Sequence, residues 1–196
     1  RNPDKFVPVL AESRPQIEKT PDGKMLITYR LRKEAQWDNG TSVTAKDVEF
    51  TFKTVKCPLV NNQNAKSYFE FITDFKLYDE DPQKFTIVSD NIYMLAEAAS
   101  ADAPIIPEYF YDPKGLLRNF TLKQIVDEGE MLKDNAKMKE FADDFNSEKR
   151  MREPKSIGGS GAYTFIEWKT NERITLVKKE NWWGNTLEKE NCYFEA

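Results

Sequence analysis

The sequence predicts an α+β fold: a small mixed domain with a mainly antiparallel sheet and flanking helices. Three observations carry this. Apolar residues alternate with polar ones at several short stretches, the mark of half-buried strands. A capped segment with an apolar stripe of helical spacing follows the first of them. Two later pairs of strand-like stretches are joined by short polar turns, as antiparallel hairpins are.

Each element has a local reason. Thr20-Pro21-Asp22-Gly23 is a turn, with proline setting one φ and glycine accepting a positive one. Met25, Ile27, Tyr29 and Leu31 then alternate with Leu26, Thr28, Arg30 and Arg32, which gives a strand with one buried face. Trp37-Asp38-Asn39-Gly40-Thr41 is a tight turn built on Asn-Gly. Thr44 caps a helix, with Asp47 three residues on in a capping-box arrangement that suits the helix dipole. Val48, Phe52 and Val55 fall on one face, so this helix is expected to be buried on one side, and Cys57-Pro58 ends it. Residues 73–78 and 84–89 read as a hairpin across Asp79-Glu80-Asp81-Pro82-Gln83. The three acids of that bridge read as a solvated turn, since calcium needs a longer loop with a fixed glycine. Residues 93–106 read as a second apolar helix, closed by Pro104 and Pro107.

Residues 121–150 are charged and helical in pattern, with Leu122, Ile125, Val126, Leu132, Phe141 and Phe145 as a sparse apolar face and Gly129 as a break. The polarity predicts a solvated surface excursion. Residues 156–161 hold three glycines, but no Lys-Ser/Thr follows, and the next element is a strand over 162–168. A phosphate cradle therefore fails, and the glycines are read as a sharp turn into a new sheet. A further strand spans 174–178, before Trp182-Trp183-Gly184.

Composition narrows the function. The 196 residues suit one domain, or one domain with part of another. With 39% hydrophobic residues, 13 Phe, 8 Tyr and 4 Trp, the chain is globular rather than disordered. A net charge of −4 offers no general attraction to nucleic acid. Histidine is absent, which removes the usual base near neutral pH and the commonest zinc ligand. Cys57 and Cys192 can pair only if the fold brings them together. No apolar run is long enough for a membrane span. The opening RNPDK, without a signal-like segment, and an end at residues 191–196 that reads as mid-strand suggest a processed or excised piece of a longer protein. Glu97, Asp102 and Glu108 lie close in sequence and frame one enzymatic alternative, a carboxylate-dependent hydrolase, against the plain reading of a solvated helix face and loop.

A longer pattern carries more. Leu10-Ala11-Glu12-Ser13, then Tyr29-Arg30-Leu31-Arg32, then Trp37-Asp38-Asn39-Gly40-Thr41-Ser42-Val43-Thr44-Ala45-Lys46-Asp47-Val48 resembles the signature of extracellular solute-binding protein family 5, the substrate-binding proteins of ABC importers for peptides, nickel and oligosaccharides. Asn39 stands as one inserted residue. The family's later Gly-Thr-Gly-Pro-Tyr strand is matched by Gly159-Ser160-Gly161-Ala162-Tyr163, and its Asn-Pro-x-Tyr-Trp element, more loosely, by Lys179-Glu180-Asn181-Trp182-Trp183.

The resemblance implies a periplasmic-binding-protein-like two-lobe fold of class II, or cluster C. Residues 1–155 would be the small inserted domain of the first lobe, with a helical insertion at about 115–153. Residues 156–196 would be returning strands of that lobe, and the second lobe would be absent. It implies a non-enzymatic solute-capturing component, working with an ABC permease and without a cofactor, outside the cytoplasmic membrane and in some members lipid-anchored. The protein would be a monomer. Oligopeptides or dipeptides are the leading ligand; a nickel chelate, haem or an oligosaccharide is the alternative. Tyr68 is the ligand contact the resemblance points to, against a plainer reading as a core tyrosine. These residues alone would then hold no peptide tightly.

Overall fold

The computed structural model describes residues 7–153, 155 and 157–186. A four-stranded antiparallel sheet is built from β1 (Gln16–Lys19), β2 (Met25–Arg30), β3 (Asp74–Leu77) and β4 (Lys84–Ser89), in the order β1-β2-β4-β3. The alternation in β2 works as expected: Met25, Ile27, Tyr29 and Leu31 are buried, and Ile27 faces Ile87 across the β2–β4 ladder. Tyr29 stacks on Phe85, which stacks on Phe75, at 5.5 and 5.2 Å between centroids. β1 escapes the sequence pattern because all four of its residues are exposed, so no period of two forms.

Helix α1 (Ala45–Lys56) starts on Thr44, whose N–H and hydroxyl both donate to Asp47 Oδ2, at 2.9 and 3.0 Å. It is buried on two sides, not one. Val48 and Phe52 join the sheet's core, whereas Phe50 and Cys57 belong to a second core. That second core explains the difference, because it comes from the stretch expected to be a surface excursion. After α2 (Gln63–Tyr68), α3 (Ala96–Ala101) and α4 (Glu108–Tyr111) come α5 (Leu122–Asp127), α6 (Gly129–Leu132), α7 (Ala136–Phe145) and α8 (Glu148–Arg152). Leu122 and Ile125 on α5, with Met138, Phe141 and Ala142 on α7, are at most 2% exposed. The polar residues of these helices face water while a narrow stripe packs on α1. Cys57 is a free, buried thiol with its Sγ 3.4 Å from Met138 Sδ, while Cys192 and the strand expected at 191–196 lie outside the described residues.

The helix expected over 93–106 is only α3, six residues long. Pro104 disfavours helical backbone at Ala103, and Met94 and Leu95 before α3 are exposed rather than packed. Strands β5 (Tyr163–Lys169) and β6 (Arg173–Lys178) form a separate two-stranded antiparallel sheet.

Candidate functional site

Two distant stretches of the sequence meet at one joint. In the turn after β2, Gly40 takes φ +81°, and Asn39 Oδ1 accepts from Thr41 N–H and Oγ1 at 3.0 and 2.7 Å. The residue that looked inserted therefore closes the turn. Asp38 engages the loop before β5: its N–H donates to Gly159 O (3.1 Å), and its Oδ2 accepts from Gly159 N–H (3.3 Å). Its Oδ1 pairs with Lys179, just past β6. Ser160 Oγ donates to Gln36 O at 2.7 Å, and the indole N–H groups of Trp182 and Trp183 both reach Ser160 O at 2.9 Å. A cavity of about 250 Å³ remains among Trp37, Asp38, Lys179, Asn181 and Trp182.

The chain bends at Gly161 and Ala162 as it enters β5, and none of Gly158, Gly159 and Gly161 takes a positive φ there. Gly158 instead admits the Phe110 ring, since a Cβ there would sit 3.0 Å from it. The Gly159 N–H that a phosphate would need is already bonded to Asp38.

Tyr68 ends α2 and is 48% exposed, so it is not a core tyrosine. Its ring meets Phe69 edge-on at 4.9 Å, and Phe69 is buried against Phe52. An exposed aromatic face thus stands on a rigid base.

Two of the three carboxylates of the hydrolase alternative are paired, each with a different arginine. Glu97 receives two hydrogen bonds from Arg14, at 2.6 and 2.7 Å, which hold its carboxyl below the usual range, opposite to the need of a general acid. Glu108 takes two from Arg118, at 2.8 and 3.2 Å. Asp102 caps the end of α3 and is exposed. In the acidic bridge between β3 and β4, Asp81 is paired to Arg30. Among the described residues, no group of three or more His, Cys, Asp or Glu side chains is placed to hold a metal ion.

The model of the bacterial extracellular solute-binding proteins, family 5 Middle, matches residues 5–193. The chain belongs to this family. It is 26% identical over 163 residues to the periplasmic oligopeptide-binding protein OppA of Escherichia coli, which covers 81% of this chain and 26% of that protein. It is 28% identical over 169 residues to the dipeptide-binding protein DppE of Bacillus subtilis, covering 83% and 26%. The crystal structure of NikZ from Campylobacter jejuni in complex with Ni(L-His) superposes with a TM-score of 0.58 at 20% identity, covering 89% of this chain and 27% of that one. The chain thus spans about a quarter of the length of the curated relatives it matches.

The mixed α+β architecture is that of family 5 proteins, whose solved members are two-lobed. In this family 5 chain the two motif regions form a single contact, since Trp37 to Thr41 and Gly159 to Tyr163 meet through Asp38 and Ser160. Its curated relatives are binding proteins, and no helix among the described residues is long and apolar enough to cross a membrane.

Proposed function

We propose that this chain is part of the ligand-capturing component of an ABC importer, and that the ligand is an oligopeptide or dipeptide. The observation that carries the reading is the family match over residues 5–193, joined to two curated relatives named for peptide binding. Tyr68 would offer its exposed ring to the ligand, a role supported by its rigid backing on Phe69. Residues 1–155 form the small domain of the first lobe, and residues 156–196 begin that lobe's returning strands, with the second lobe outside this chain. The separate β5–β6 sheet, joined to the rest through Asp38 and Ser160, supports that division.

On this reading the protein is a non-enzymatic monomer outside the cytoplasmic membrane, lipid-anchored or periplasmic, that hands its ligand to a membrane permease. The separate pairing of Glu97 and Glu108 supports binding over hydrolysis. The likeness to NikZ favours one second reading, a non-peptide solute such as a metal chelate. Native mass spectrometry of the full-length protein, purified gently from cells, tests both. A ladder of adducts with short-peptide masses is expected. A single discrete adduct would keep the transport role and overturn the peptide.

A further inference from the structure

Residues 7–15 form a strap across the sheet. Arg32 donates to Leu10 O (2.9 Å) and to Val9 O (2.8 Å), Glu12 N–H donates to Arg30 O (2.9 Å), and Arg14 grips Glu97 beside α3. Beneath the strap lies a cavity of about 320 Å³ whose lining is mostly apolar, including Leu31, Val48, Phe85, Ile87, Ala103 and Ile105. Four of its lining side chains are polar, and they engage one another. Arg14 and Glu97 neutralise each other through two hydrogen bonds, and Tyr29 OH lies 2.7 Å from Ser100 Oγ.

We propose that this cavity is a binding site for a small uncharged apolar molecule, on the scale of a one-ring aromatic hydrocarbon. An apolar-walled pocket of this kind accepts such molecules, because covering its wall takes apolar surface out of water. A charged solute would lose its hydration against walls whose two charges already cancel. The site is separate from Tyr68 and does not depend on the transport reading.

Methyl NMR of the full-length protein tests this with three probes: p-xylene, benzoate and benzylammonium. Saturable shifts at Leu31, Val48, Ile87 and Ile105 are expected with p-xylene, with affinity at least tenfold weaker for the two charged probes. Ala103→Phe, which fills the cavity, should fold with an unchanged or higher thermal midpoint and lose the p-xylene response. If that variant does not fold, Ala101→Leu, at an exposed lining position, makes the same test. The proposal falls if the parent protein gives no saturable shift, if benzoate binds as tightly as p-xylene, or if the folded cavity-filling variant still responds.

Discussion

Asp38 and Lys179, 141 residues apart in sequence, form an ion pair that fastens the β5–β6 hairpin to the turn after β2. A two-stranded hairpin is marginal alone, and this one exposes Trp168, Ile174 and Leu176, so its anchorage matters. Asp38→Ala removes the ion pair and the acceptor for Gly159 N–H. Because Asp38 is 40% exposed, the loss should be modest, about 1 kcal/mol. Hydrogen exchange should quicken at residues 163–178 while the β2 and β4 amides keep their protection. Equal acceleration across both sheets would refute an anchoring role.

Phe141 tests whether the charged helices are structural. It is 2% exposed, meets Phe50 edge-on at 5.9 Å and stacks on Phe145 at 5.6 Å. Phe141→Ala should cost about 3–5 kcal/mol in denaturant unfolding, the range for a buried aromatic. A solvated excursion would show a change within about 0.5 kcal/mol.

Phe141 also shows where sequence reading stops. Its apolar stripe was visible, but charge density on the same helices pointed to solvent, and only packing on α1 shows that Ile125, Met138, Phe141 and Ala142 build a core. Strand β2 and the Thr44–Asp47 cap were legible because each carries its signal within a few residues. β1 was not, being exposed throughout, nor was α2, which buries none of its residues. The joint was half legible: both motifs stood out, yet nothing local says that Asp38 binds Gly159 and Lys179. The same limit hid the pairing of Glu97 with Arg14, 83 residues away.

Tyr68 should divide affinity from stability. Being half exposed at the end of α2, Tyr68→Ala should change folding free energy by less than about 0.5 kcal/mol. In the full-length protein the same change should weaken peptide binding by about tenfold or more in calorimetry, as losing an aromatic contact does. Tyr68→Phe keeps the ring and should retain most of the affinity. Unchanged affinity in the alanine variant would remove Tyr68 from the site.

Lys56, at the end of α1, should tie stability to alkaline pH. Burial pushes its ammonium down to about 8, while Glu70 opposes the shift, and its Nζ donates to Glu70 O at 3.2 Å. In the unfolded chain a lysine titrates near about 10.4, so between these values the unfolded state binds more protons and stability rises with pH. Burial raises the Tyr29, Tyr111 and Cys57 values instead, so those groups pull stability down as pH climbs. The informative quantity is therefore the difference between the parent and Lys56→Met, in which those opposing groups cancel. That difference should move in the parent's favour by on the order of 2 kcal/mol from pH 7 to pH 10. A flat difference in urea unfolding across that range would mean that Lys56 keeps an ordinary lysine's affinity for its proton in the folded state.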